Sequence, residues 1–162
     1  NLGGSFELID KNGQIKSNYD IDTEYFLIFF GFTTCPSICP IALNNISLAL
    51  NEISPEILEK ITPIFITVDP SRDTPARLKE YFKHFHEKFV PLTGEDEVLS
   101  KIIDKFGVYS NLLPESENIE GEYMYDHSSY IYLTGNNGKY IDHSYHNIEV
   151  IELINMIEIN LK

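Results

Sequence analysis

Tryptophan is absent from this chain and sulfur nearly so, with two cysteines and two methionines in 162 residues. Any thiol chemistry must therefore rest on one pair, Cys35 and Cys39, though two cysteines alone do not define a redox compartment. Positive charge is scarce as well: twelve Lys and Arg face twenty-five Asp and Glu, a formal net charge of -13. Phosphate backbones and anionic membrane surfaces repel such a chain, which excludes nucleic acid and favours a basic protein or a metal cation as partner. No run approaches the roughly 20 apolar residues that span a bilayer. The most apolar stretch, Tyr25 to Phe32, is far too short.

Nor does a basic segment lead into an apolar one at the start, as a signal peptide requires. Asn1-Leu2-Gly3-Gly4 lacks an initiator methionine and reads as a processed or truncated boundary, with an anchor expected upstream. Repeats, low-complexity tracts and linkers are missing, so residues 1–162 read as a single domain. Its apolar content of 43% is ordinary for a globular protein and too high for disorder.

What is present has the grammar of an α/β domain. Ser5 to Asp10 and Ile15 to Ser17 flank Lys11-Asn12-Gly13, a hairpin signal. Tyr25 to Phe32 is apolar without alternation, as a central strand covered on both faces would be, and Pro63 to Val68 repeats that character. Between them Leu43, Ile46, Leu50 and Ile53 recur at helical spacing, which makes a parallel crossover unit. Asp73-Thr74-Pro75 predicts a capped helix start with a stripe of Leu78, Tyr81, Phe82 and Phe85. A short strand at Phe89 to Leu92 and a helix from Asp96 to Phe106 follow. Pro114 to Gly121 reads as an acidic loop, His127 to Leu133 as a strand, and Gly135-Asn136-Asn137-Gly138 as a turn into Lys139 to His143. Asn147 is the expected cap of a last helix burying Ile148, Ile151, Ile154 and Ile157. Two hairpins around a βαβ core describe a thioredoxin-like fold, a central mixed sheet flanked by helices with an N-terminal β-hairpin.

The thiols lie at the junction of the first apolar strand and its helix. Both precede prolines, Pro36 and Pro40, so the pair should straddle an irregular entry loop with regular helix beginning near Cys39. Cys39 falls four residues before Leu43 and tilts toward the buried stripe, which leaves Cys35 the more exposed thiol. A four-residue helical step of about 6 Å lies within reach of a disulfide. A helix N-terminus also favours thiolate. Metal binding and disulfide exchange both remain open on spacing alone.

Five histidines could add a donor. His84 and His86 near the end of the Pro75 helix suit its dipole, and His143 and His146 at a strand end and turn read as solvated. His127 opens a strand and is the candidate ligand. Two thiolates and one imidazole suit copper, since thiolate selects Cu(I) and imidazole accepts either oxidation state. The same set could hold zinc with an open position, whereas structural zinc would want a fourth protein ligand.

Five stretches together resemble the Sco/SenC family of copper-binding proteins, which assist assembly of the copper centre of cytochrome c oxidase. They are Gly3 to Leu8, Phe30 to Pro40, Val68 to Pro75, Leu92-Thr93-Gly94 and Asp126-His127-Ser128. The resemblance implies that Cys35, Cys39 and His127 bind copper as Cu(I) or Cu(II), in a non-enzymatic metallochaperone. Cytochrome c oxidase subunit II is the implied partner, with other copper chaperones besides. The implied location is the periplasmic face of the bacterial inner membrane, or the mitochondrial intermembrane space, held by an N-terminal anchor outside these residues. Ser37 departs from the acidic residue many relatives carry between the cysteines, without removing a ligand. Asp69 matches a family aspartate near the site, although Asp69-Pro70 also reads as turn chemistry. The acidic stretch from Glu115 to Glu122 is a solvated surface that could let His127 swing in as metal arrives. The alternative function is a thiol–disulfide oxidoreductase that reduces the acceptor's cysteines, with Cys35 attacking and Cys39 resolving.

Overall fold

The computed structural model describes residues 2–107 and 130–161, with short backbone segments at 111–112 and 125–126 between them. The N-terminal hairpin pairs β1 (Glu7–Asp10) with β2 (Ile15–Ser17), Leu8 opposite Lys16. Its turn is held by the Asp10 carboxylate, which accepts from the N–H groups of Asn12 and Gln14 at 2.9 and 3.0 Å. Gly13 supplies the left-handed residue, at φ 78°.

β3 (Tyr25–Gly31) then runs through the centre and leads into α1 (Ile38–Glu52). Leu43, Ile46, Leu50 and Ile53 of the expected stripe are all buried against the sheet. A one-turn helix, α2 (Pro55–Leu58), precedes β4 (Ile61–Thr67), which lies parallel to β3 with Gly31 opposite Thr67. Thr74 caps α3 (Pro75–Tyr81) by accepting from the Arg77 N–H, with Pro75 at the first helical position as its sequence predicts. β5 (Val90–Thr93) is parallel to β4, and α4 (Asp96–Lys105) follows it.

β6 (Asn111–Leu112) and β7 (Tyr125–Asp126) form a separate two-stranded sheet. The chain returns through β8 (Tyr130–Gly135) and β9 (Tyr140–Tyr145) and ends in α5 (Val150–Leu161). One seven-stranded sheet results, in the order β2-β1-β5-β4-β3-β8-β9, with parallel strands at its centre and antiparallel ones outside.

Ring contacts reveal the layers. Phe65 of β4 meets Phe82 at 5.0 Å on the face that carries α1 and α3. Phe30 of β3 meets Phe106 at 5.1 Å on the opposite face, beneath α4. α5 packs on α1, where the Asn45 amide donates to the carbonyls of His146 and Ile148. This is the thioredoxin-like arrangement expected. Among the described residues no helix is long and apolar enough to cross a membrane.

The C-terminal end departs from expectation. Glu149 holds the cap position of α5, its carbonyl accepting from the N–H groups of Glu152 and Leu153, so Asn147 stands two residues ahead of the cap and does not fill it. Ile154 and Ile157 are buried, but Ile151 is 59% exposed and Leu153 occupies the core instead. A strict three-residue spacing drifts about 60° per step around a 3.6-residue helix, which carries Ile151 off the buried stripe. His127 to Ser129, expected as the start of β8, lie outside the described residues, as does the acidic loop at 114–121.

Candidate metal centre

Strand β3 delivers the chain to the sheet's C-terminal edge, where open α/β sheets place their ligands. There the backbone turns, the Cys35 N–H donating to the Phe32 carbonyl at 3.1 Å. Ser37 occupies the cap position of α1 yet makes no side-chain cap bond. The Cys35 sulfur serves instead, accepting from the Cys39 N–H at 3.4 Å. Pro40 is the third helical residue, where a backbone N–H has no intrahelical partner, so its missing donor costs nothing.

The two thiols, both free, are unequal. Cys35 retains 8% exposure and Cys39 none. A hydrogen bond from the Cys39 thiol, the strongest influence, lowers Cys35 to about 6 against the opposing effect of burial, with the N–H groups of Cys39, Ser37 and Ile38 assisting. The same bond pushes Cys39 well up, reinforced by burial, by the Cys35 charge and by Asp73. At neutral pH the pair therefore holds one thiolate and one proton, with the thiolate on the more exposed sulfur. The order of exposure predicted from the helical template is correct.

Gly31 makes room for this arrangement. A Cβ at that position would lie 2.7 Å from the Cys39 sulfur and 3.0 Å from the rings of Phe29 and Phe65.

Beneath the loop lies a buried carboxylate that the sequence offered only as part of a helix cap. Asp73, with no exposure, accepts from the Thr33 N–H at 3.0 Å, the Thr33 hydroxyl at 2.5 Å and the Thr67 hydroxyl at 2.7 Å. Arg77 Nε donates to the Thr33 hydroxyl at 2.6 Å and lies 3.8 Å from the Asp73 carboxylate. Asp69 has local partners: its carbonyl accepts from the N–H groups of Arg72 and Asp73, and its carboxylate from Ser71 Oγ and Arg72 Nε. Those are the bonds of a turn. Tyr81 on α3 has a buried hydroxyl without a hydrogen-bond partner among the described residues.

The other histidines stand apart from the thiols. His84 is exposed, and His86 is half-buried, its Nδ1 accepting from the Lys88 N–H. His143 is exposed on β9 and pairs with the Tyr140 hydroxyl at 2.5 Å. His146, expected to be solvated, is half-buried with a covered Nδ1 because the α1–α5 contact closes over its turn. Among the described residues no three His, Cys, Asp or Glu side chains converge as a metal site. His127 lies outside those residues.

The sequence pattern of the SCO1/SenC family matches residues 1–161. The chain belongs to the SCO1/SenC family. This SCO1/SenC domain is similar to an SCO2-like protein of Rickettsia prowazekii, at 44% identity over 157 residues, 97% of this chain and 76% of that one. Its fold superposes on Bradyrhizobium japonicum ScoI with copper bound at a TM-score of 0.84, with 33% identity and 98% of each chain covered. Yeast Sco1 with copper bound gives a TM-score of 0.83 and 34% identity, over 97% of this chain and 86% of that one.

Proposed function

We propose that this SCO1/SenC domain is a copper metallochaperone for assembly of the copper centre of cytochrome c oxidase, carrying its cargo on Cys35, Cys39 and His127. The carrying observation is the thiol pair: one sulfur already a thiolate near neutral pH, its neighbour hydrogen-bonded to it and protonated. Soft thiolates select Cu(I), and an imidazole tolerates both oxidation states. The copper-bound relatives support the same cargo here.

Cys35 receives the ion first, because it needs no deprotonation. Cys39 then releases its proton as its sulfur joins, so loading liberates a proton and strengthens as pH rises. A three-donor site leaves one side open, and an incoming donor from the acceptor can enter before a resident ligand leaves. Subunit II of cytochrome c oxidase is the acceptor in this reading, with other copper chaperones as donors. The domain works at the periplasmic face of the inner membrane, tethered by a segment outside these residues. Delivery is stoichiometric, so the protein is not an enzyme in this role.

Copper titration of the reduced protein, with and without His127→Ala, tests the ligand set. A one-to-one complex that weakens strongly in the variant is expected; equal binding by both proteins would sink the three-donor reading.

The same thiol asymmetry favours one second reading, disulfide reduction of the acceptor. The Cys35 thiolate would attack an acceptor disulfide and displace one thiolate; Cys39, losing its proton, would then attack Cys35 and release the other. Two electrons pass to the acceptor, and Cys35 and Cys39 end as a disulfide. Rapid turnover of disulfide substrates, unchanged by His127→Ala, would mark this activity.

A further inference from the structure

The cysteine loop is tied to the rest of the fold through one side chain that belongs to neither the thiol pair nor its helix. Asp73 draws three hydrogen bonds, two from Thr33 and one from Thr67, and has no exposure to water. Thr33 lies two residues before Cys35. Thr67 is the register partner of Gly31 on the adjacent parallel strand, and the Cys39 sulfur sits directly over Gly31. Register partners on neighbouring strands are about 4.8 Å apart and project to the same face. The Thr67 hydroxyl, and the carboxylate it holds, therefore lie beside Cys39 on the α1 face of the sheet.

We propose that Asp73 is a positioning residue for copper at this site: through Thr33 and Thr67 it anchors the cysteine loop, and its buried charge favours Cu(II) over Cu(I). This inference rests on the copper reading above. Shielding by water is minimal where a carboxylate is buried and draws three hydrogen bonds. Its field stabilises the more positive oxidation state of a neighbouring ion. Arg77 opposes it from 3.8 Å, with a side chain 46% exposed and therefore better screened. The two charges act on the metal with opposite signs, while both belong to the hydrogen bonds that hold Thr33.

That opposition supplies the test. The full domain is loaded with copper as the parent, as Asp73→Asn and as Arg77→Gln, and the affinities for Cu(I) and Cu(II) and the reduction potential are measured. In Asp73→Asn the ratio of Cu(II) to Cu(I) affinity should fall by about tenfold, equivalent to a rise of about 59 mV for a one-electron couple. In Arg77→Gln the ratio should rise. Movement of both variants in the same direction, or an unmoved ratio in folded Asp73→Asn, overturns the proposal. Loosening of the loop alone predicts the former. If Asp73→Asn fails to fold, Arg77→Gln decides by its sign. A parent that takes up no copper overturns both this inference and the reading beneath it; a parent that binds through His127 with unmoved variants overturns only the inference.

Discussion

The Cys39 sulfur lies 2.7 Å from the point where a side chain on Gly31 would begin. Strand β3 thus ends in a glycine because a helix from the next element lowers a thiol onto its last residue, where even a methyl group has no space. Gly31→Ala should cost about 1–3 kcal/mol of stability through overpacking. Because Phe29 and Phe65 block the other directions, the sulfur itself must move, and copper affinity should fall with it. Denaturant unfolding paired with copper titration checks both effects. A variant that equals its parent in each would show that the contact is slack.

The hydrogen-bonded thiol pair makes a prediction about pH that needs no metal. Cys35 is lowered to about 6, chiefly by the hydrogen bond from Cys39. Its reaction with iodoacetamide should rise as pH passes about 6 and then level off. Cys39 should stay unmodified over that range, since its thiol is pushed up and fully buried. Mass spectrometry of peptides from protein alkylated at a series of pH values locates the adducts. A midpoint near about 8.5, the value of an unperturbed thiol, would contradict the asymmetry.

Periodicity exposed the parts of this molecule that bury apolar surface. The stripe of α1 and the unbroken apolar runs of β3 and β4 are patterns of burial, and burial repeats at the period of each element. The thiol pair was equally legible, because proline and cysteine at a strand-to-helix junction admit few conformations. Asp73 and Gly31 were not. An aspartate before Thr74-Pro75 reads as helix capping, and Gly31 reads as one more residue of the apolar strand from Tyr25 to Phe32. Their roles arise from Thr33, Thr67 and Cys39, contacts that local pattern does not encode. Ile151 and Asn147 failed for a related reason: one apolar spacing fits two helix phases, and packing on α1 chose the one that buries Leu153. His127 entered as the histidine that opens a strand, the family resemblance joined it to the thiols, and the copper titration tests its place in the ligand set.

Asn18 ties the two ends of the fold together and should be among its least replaceable polar residues. Its carbonyl oxygen accepts from the Phe6 N–H at 3.1 Å, and its amide donates to the Asn136 carbonyl at 3.0 Å across 118 residues. Asn18 is 1% exposed and its bond to Phe6 is buried, so water does not replace that bond. Asn18→Ala strands the buried Phe6 N–H, while the Asn136 carbonyl lies on an exposed turn, for an expected loss of about 1–3 kcal/mol on thermal or denaturant unfolding. Asn18→Asp restores the acceptor alone and should recover part of that loss. Copper binding at the far edge of the sheet should survive in both folded variants. A loss below about 0.5 kcal/mol in the alanine variant would mean that neither bond contributes.

Tyr81 is the opposite case, a buried polar group whose removal should not destabilise the fold. Its ring packs against Phe82 and Phe85 at 5.5 and 5.4 Å, contacts that phenylalanine preserves. Its hydroxyl is buried with no hydrogen-bond partner among the described residues. Burial raises its pKa strongly, with the charges of Cys39, Cys35 and Asp73 adding to the shift, so the neutral phenol persists at any physiological pH. An unsatisfied buried hydroxyl costs about 1–3 kcal/mol relative to water. Tyr81→Phe removes that cost and should leave stability unchanged or raise it by about 1 kcal/mol in denaturant unfolding. Lower stability in the variant would show that the hydroxyl is hydrogen-bonded in solution.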